Sequence, residues 1–417
     1  MMRFAAGLSE DLEGGVNALE GLRVVDFSTG VAGASCTKLF ADYGADVIKV
    51  EPTGGDPLRR VPPFAGDIPD PERGLLFLSL NTNKRSVSLN LETEDGLTLA
   101  RSLAATADIV VESDEPGAMA EIGLGYEDLC ETRPGVVYAS ITPWGQDGPY
   151  VDLGFRASEL TLQGMGGPVI QTGSADREPL KLGGNVAQIQ AGAVGAYAVM
   201  LAVLRAEAGG EGDHIDVSIY ETQAGSRDRR TIGLTTYAYQ GTISGRRTLS
   251  GYALASGVQP CLDGEVDILA PGPKIHDFVR MIGREDLAGD PRLNQPPPTL
   301  DPAFVQEIAT AYLGWSMQRT KRDAVAEAQS YGLLAGIINT TDDLITDPHY
   351  RDRGVWETVE HPVAGTFEYP GRTLLLSDTP RPPAHRAPLF GEHTAEVLAE
   401  LGVPRERLVT LRGVGAI

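Results

Sequence analysis

The sequence predicts an α/β fold with a mostly parallel sheet, and two patterns carry that expectation. Strand-like and helix-like segments alternate through the first half of the chain, and the first of them form a β-α-β unit. The β-branched run Leu22–Phe27 precedes a small-residue helix over Ala32–Tyr43, and Gly44 leads into a second strand, Ala45–Glu51. Strands joined through one helix pair as a right-handed parallel crossover, so a Rossmann-like sheet is expected.

The remaining elements follow in order. Residues 51–74 are rich in Pro and Gly and read as a long surface excursion. The alternating Val87–Leu91 is a strand with Lys84 and Arg85 at its entrance. A helix over Gly96–Ala107 leads to a strand at Asp108–Glu112, and a helix over Pro116–Ile122 to a strand at Val136–Ile141. The turn-rich Trp144–Tyr150 gives way to a helical segment, Ser158–Met165, whose one carboxylate is Glu159. Ala191–Leu204 is apolar and built of small residues, as in a buried helix, and His214–Ile219 is one more strand. Farther on, Asp263-Gly264 joins Val258–Leu262 to Glu265–Leu269 as a hairpin. Helices at Lys274–Ile282, Pro302–Tyr312 and Ala324–Tyr331 complete a smaller α+β domain, with Pro296-Pro297-Pro298 in one of its loops. A last helix is expected over Phe390–Leu401.

Composition excludes several functions. Hydrophobic residues make up 42% of the 417, a globular proportion, while the formal net charge is -22. Such a surface repels nucleic acid and anionic membranes. No 18-residue apolar run free of charge is read, so no membrane span is expected. The first fifteen residues lack an apolar h-region and do not form a secretory signal. Cys36, Cys130 and Cys261 are too scattered for a metal site or a disulfide framework, and reduced thiols suit the cytoplasm. His-Glu-x-x-His, Gly-x-Ser-x-Gly and P-loop patterns are absent from the sequence. Gly30-Val31-Ala32-Gly33 lacks the third glycine of a dinucleotide fingerprint, yet the helix start behind it can receive a phosphate or carboxylate. Arg227, Arg229, Arg230, Arg246 and Arg247 form the strongest cationic patch, with structural salt bridges as its more common explanation.

The order of the motifs adds a resemblance. Ala45-Asp46-Val47-Ile48-Lys49-Val50-Glu51-Pro52, Asn83-Lys84-Arg85-Ser86, Gly123-Leu124-Gly125-Tyr126 and Gly145-Gln146-Asp147-Gly148-Pro149-Tyr150 resemble the family III CoA-transferases. So do Gly212–Ser218, His361-Pro362-Val363-Ala364-Gly365 and Ala387–Thr394, and the likeness runs from about Leu19 to the C-terminus. It implies a large Rossmann-like CoA-binding domain (19–222), a linker (223–255), a small α+β domain (256–340), a second linker (341–375) and a C-terminal return (376–417). It also implies a ring-like chain that threads a second one into an interlocked dimer. Coenzyme A or acyl-CoA is then a substrate, with no covalently bound cofactor and no metal. The residues expected near CoA are Ala32, Gly33, Lys84, Arg85 and Leu89.

In the transferases of this family the nucleophile is an aspartate at a helix start, which attacks the acyl-CoA thioester. Aligned through Pro179, Gly183, Ala187 and Gly192, that position is Gln188 here. A carboxamide can donate and accept hydrogen bonds, but it offers no nucleophilic oxyanion. The family's racemases add a histidine near 155–158, where this chain has Arg156. Benzylsuccinate-type members pair two unlike subunits. The expectation is therefore a non-nucleophilic, cytoplasmic subunit, partnered by an aspartate-bearing paralogue in a heterodimer or heterotetramer, that helps move CoA between an acyl-CoA and a carboxylic acid. The alternatives are a CoA- or acyl-CoA-binding protein without turnover, and a homodimeric transferase using Glu159.

Overall fold

The computed structural model describes residues 17–225, 229–243, 245–246, 254, 257–295, 299–372, 374–379 and 384–417. Strand β1 (Arg23–Asp26), helix α1 (Val31–Asp42) and strand β2 (Asp46–Glu51) form the expected crossover. Then come α2 (Leu75–Leu80), β3 (Arg85–Ser88), α3 (Glu94–Ala104), β4 (Ile109–Glu112), α4 (Ala118–Glu121), α5 (Tyr126–Thr132) and β5 (Val137–Thr142). The chain continues through α6 (Pro149–Asp152), α7 (Glu159–Met165), α8 (Val186–Gly209), β6 (Asp213–Ser218), α9 (Ile219–Gly225) and α10 (Arg229–Gln240). Next are β7 (Val258–Cys261), β8 (Gly264–Leu269), α11 (Ile275–Met281), α12 (Pro302–Ser316), α13 (Lys321–Ser330), β9 (Leu334–Ile338), α14 (Thr341–Thr346) and α15 (Pro348–Asp352). The hairpin β10 (Trp356–His361) and β11 (Gly365–Pro370) leads to α16 (Thr394–Glu400) and α17 (Arg405–Gly413).

These elements divide between two compact units. The first takes the chain up to Val169, then Lys181–Ile243 and Gly354–Ile417; the second takes Ile170–Leu180 and Ser244–Arg353. In the first unit six strands pair in the order β3-β2-β1-β4-β5-β6, all parallel. A parallel sheet is covered on both faces, which is why its strands read as unbroken apolar runs. On one face Val24, Val47, Ile109 and Val111 pack with α1 and α8 side chains such as Phe40, Ala191 and Val199. On the other, Val25, Ile48, Val110 and Tyr138 meet Leu99, Leu103, Leu129, Val397 and Leu411. The exposed edge at β3 is closed by the C-terminal segment: His393 N donates to Ser86 O (2.9 Å), and Ser88 N to Thr394 Oγ1 (3.0 Å). In the second unit, antiparallel β7-β8-β9 buries Val266 and Ile268 against Phe278, Phe304, Ile308 and Ala324.

Several boundaries differ from the sequence reading. Helix α8 begins at Val186, not Ala191, because Gln188 and Gln190 interrupt the apolar pattern without interrupting the helix. From Val186 to Leu204 the chain carries no charge, so the expectation that no such run exists is corrected: the 24-residue helix has a mean hydropathy of 1.6, enough by length and composition to cross a membrane. In this fold its small-residue side is core, with Ala187, Ala191 and Gly195 buried. The 223–255 stretch contains α10, and 341–375 contains two short helices and the β10–β11 hairpin. The last helix begins at Thr394, and α17 follows it unforeseen. Arg227, Arg247 and Pro296–Pro298 lie outside the described residues, as do the side chains of Arg229 and Arg230. Arg246 donates to the carbonyls of Ser174 (3.1 Å), Ile170 (3.3 Å) and Arg177 (3.4 Å), within the second unit.

Candidate functional site

The strand order reverses between β1 and β4, and in doubly wound sheets that switch point, at the carboxyl ends of the strands, is where ligands lie. Ser28-Thr29-Gly30 leaves β1 there and enters α1, with Gly30 at a φ of 81° that suits glycine. Ser113 leaves β4 and clasps the same turn: its Oγ accepts from Thr29 N (2.9 Å) and donates to Thr29 O (3.0 Å). Gly33 is required behind them, since a Cβ would fall 2.0 Å from Ser28 Oγ.

A polar core anchors this crevice. Asp26, the last residue of β1, accepts hydrogen bonds from Ser28 Oγ (2.5 Å) and Thr37 Oγ1 (2.6 Å), and Lys84 Nζ lies 3.4 Å away. Burial alone would weaken the acid and raise its pKa, but Lys49, Lys84 and the two hydroxyls together hold it below the usual carboxylate range. Lys84, expected beside CoA, is 3% exposed, and its Nζ also donates to Thr37 Oγ1 (2.7 Å), Asn81 Oδ1 (2.9 Å) and Ala34 O (3.0 Å). Burial pushes it down to about 8, against the pull of Asp26. Arg85 pairs with Asp46 (2.6 Å), Glu400 (2.6 Å) and Glu396 (3.0 Å), fastening β3 to α16. Leu89 is buried in the apolar layer under α3. Of the five residues expected near CoA, only Ala32 and Gly33 sit in the first turn of α1 at the switch point.

The second cluster is the start of α8. Asn185 precedes the helix without a side-chain cap. The free amides are taken by Glu159, the first residue of α7: Oε1 accepts from Ala187 N (2.7 Å), and Oε2 from Gln188 N (3.4 Å) and Gln188 Nε2 (3.2 Å). A carboxylate at a helix N-terminus meets both the unpaired N–H groups and the positive end of the dipole. Gln163, one turn along α7 and 1% exposed, donates to Glu159 Oε1 (2.7 Å) and accepts from Leu182 N (2.8 Å), so it ties the Gly183-Gly184 loop to the same carboxylate. Trp144, Leu162, Ala187 and Ile219 form an apolar wall beside it. Sequence reasoning pairs Gln188 with Glu159, and the structure does bring them together; it missed Gln163, although the Glu159–Gln163 spacing of four is visible in the sequence.

The two clusters share a helix pair. Gly192, one turn beyond Gln188, lets α8 approach α1 so closely that a Cβ would lie 2.6 Å from Ala32 O. Among the described residues no His/Cys/Asp/Glu group is arranged to hold a metal ion.

A doubly wound parallel sheet with a strand-end crevice and a capped helix start defines an α/β ligand-binding protein. Residues 19–394 match the family model for CoA-transferase family III. A succinate–glutarate CoA-transferase of Agrobacterium fabrum is 33% identical over 396 residues, covering 92% of this chain and 95% of its own. Subunit BbsE of the succinyl-CoA:(R)-benzylsuccinate CoA-transferase of Thauera aromatica is 30% identical over 406 residues, with 95% and 97% covered. The crystal structure of a CAIB/BAIF family protein from Brucella suis superposes with a TM-score of 0.80 at 30% identity, covering 92% of this chain and 99% of that one. The chain belongs to CoA-transferase family III.

Proposed function

We propose that this chain is one subunit of a transferase that moves CoA between an acyl-CoA and a carboxylic acid, and that an aspartate-bearing paralogue supplies the nucleophile. The observation that carries this reading is the carboxamide of Gln188 at the start of α8, held against Glu159. Thioester exchange needs a carboxylate oxygen that attacks the acyl carbon, forms a mixed anhydride and later leaves. Gln188 offers an amide in that role. Glu159 is a carboxylate, but four N–H donors from Gln163, Ala187 and Gln188 already converge on its two oxygens, which stabilises its charge where it stands. This favours a supporting shell over a homodimeric enzyme that uses Glu159 as nucleophile.

In this reading CoA lies along the switch point by the first turn of α1, and residues 19–222 with 376–417 form its domain. Residues 256–340 form the small domain, and 223–255 and 341–375 are the linkers. An interlocked dimer is supported by the outer side of α8, where Ile189, Val194, Tyr197, Leu201 and Leu204 are exposed, Tyr197 at 67%.

The test is transfer of CoA from succinyl-CoA to a panel of dicarboxylic acids, with the chain alone and co-expressed with an aspartate-bearing paralogue. Activity is expected only in the mixed preparation. Transfer by the chain alone overturns the two-subunit reading, and CoA binding that never leads to transfer in either preparation favours a binding protein without turnover. Gln188→Asp in the lone chain is expected to gain measurable transfer.

A further inference from the structure

Glu112 ends β4 as Asp26 ends the neighbouring β1, on the opposite face of the sheet, and the reaction above makes no use of it. Its side chain is nearly buried, and Oε2 accepts Asp114 N at 2.7 Å. That bond sets the bend carrying Ser113, which in turn clasps Thr29 across the switch point. Glu112 thus shapes the wall of the crevice.

Strand register places Ser140 beside Glu112 and Asp216 beyond it. Ser140 Oγ lies 2.9 Å from His214 Nε2, and His214 stands exposed on β6, stacked on Tyr126 with ring centroids 5.6 Å apart. The row Glu112, Ser140, His214 therefore runs from a buried carboxyl to the surface. Tyr138 of β5 shares the compartment, 2% exposed and, among the described residues, with no hydrogen-bond partner for its hydroxyl. Asp114 at the strand end, Asp128 of α5 and Asp216 of β6 complete the charged groups around Glu112 and Tyr138. None of these is a cation, and the part of the His214 ring covered by its neighbours holds it below its ordinary value, toward the neutral form. Burial pushes Glu112 up to about 7, against the hydrogen bonds from Ser140 and Asp114 N and with the charges of Asp114 and Asp216.

We propose that Glu112 is a positioning residue for the phosphate-bearing end of CoA, neutral when that end is held tightly and charged when it is held weakly. The ionised carboxylate adds a negative charge at the end of β4, beside Asp114, and phosphates arriving at the crevice are repelled. The proposal rests on the CoA-transferase reading, which puts CoA at the switch point.

The test is calorimetric binding of CoA to the full chain between pH 6 and pH 8. In the unaltered protein Kd is expected to rise roughly fivefold more over this range than in Glu112→Gln, whose amide is neutral and still accepts from Asp114 N. The phosphate of CoA titrates near 6 as well, but identically in both measurements. His214→Asn is expected to keep the wild-type rise, because the group that changes charge at the strand end is Glu112 and not the histidine. An equal rise in Glu112→Gln and the unaltered chain overturns the proposal and leaves the transferase reading standing. A rise lost in His214→Asn but kept in Glu112→Gln overturns it too, assigning the effect to the histidine. Absence of CoA binding at every pH removes the transferase reading itself.

Discussion

Asp26 and Glu112 end adjacent parallel strands, both are nearly buried, and they behave in opposite ways. Asp26 faces α1, where Lys49, Lys84, Ser28 and Thr37 converge on it and hold it ionised. Lys49 is raised in turn: burial alone would lower it, but Asp26, Asp56 and Glu51 together outweigh burial, with Asp56 at 2.9 Å. Glu112 faces the α3 and α5 side, where its charged neighbours are carboxylates. The lesson is that burial does not decide the state of an acid; the sign of what is buried with it does. One face of the strand ends holds a matched set of charges that fixes the fold, while the other holds a group free to change state.

Replacing each acid by its own amide tests this contrast directly. The largest effect is expected for Asp26→Asn, which leaves Lys49 and Lys84 buried without their shared counter-charge. Removing one member of a buried pair costs about 3–5 kcal/mol, and the loss should appear as a fall in urea midpoint at unchanged slope. A loss below about 1 kcal/mol would show that the lysines find compensation elsewhere and would dissolve the comparison.

Glu112→Gln should act in the opposite direction. Its folded value of about 7 lies above the ordinary 4.5, so between those two pH values the folded protein binds more protons than the unfolded chain. Stability contributed by this group is therefore complete below about 4.5, falls as pH rises to about 7, and stays low above it. The difference from 4.5 to about 7, at about 1.4 kcal/mol per tenfold change in proton affinity, amounts to about 3 kcal/mol. Glu112→Gln is thus expected to be more stable than the unaltered chain by up to about 3 kcal/mol at pH 8, with the gap closing toward pH 4.5. Paired denaturation curves at the two pH values check it, and a gap independent of pH would mean that Glu112 is already ionised in the fold.

Much of the sheet was legible in the sequence because a parallel strand buried on both faces must be apolar along its length, as Ile109-Val110-Val111 and Val47-Ile48 are. The partners of the charges were not legible. Lys84 sits at a strand entrance in the sequence, and nothing local reveals that its stem reaches Asp26, 58 positions earlier. Arg85 is tied to Glu396 and Glu400, more than 300 residues away, which only the return of the C-terminus over β3 makes possible. The β10–β11 hairpin was hidden for a different reason. Its turn is made by the His361 ring, whose Nδ1 accepts from Val363 N (3.3 Å) and Ala364 N (3.0 Å), where a Gly or Asn pair would ordinarily announce it. The pairing of Gln188 with Glu159 was legible in part: Glu159 lies at a helix start that the sequence locates, whereas Gln188 precedes the apolar run that marks α8 and stands out only through the family resemblance.

The third acid lies between these extremes. Glu159 is half-buried and, among the described residues, has neither a cation partner, as Asp26 does, nor acidic company, as Glu112 does; its partners are the amides at the start of α8. Glu159→Gln keeps the shape but turns one acceptor oxygen into a donor that faces other donors, and it removes the charge the helix start favours. Losing one or two such hydrogen bonds and a dipole interaction is expected to cost about 1–2 kcal/mol, less than Asp26→Asn because water can reach the vacated amides. The loss should be local: hydrogen exchange at Ala187 and Gln188 is expected to accelerate while exchange in β1 and β4 stays slow. If protection falls throughout the sheet, Glu159 is a core residue of the fold. If it does not change even at Ala187, the carboxylate leaves the helix start open, and the case for Glu159 as a nucleophile returns.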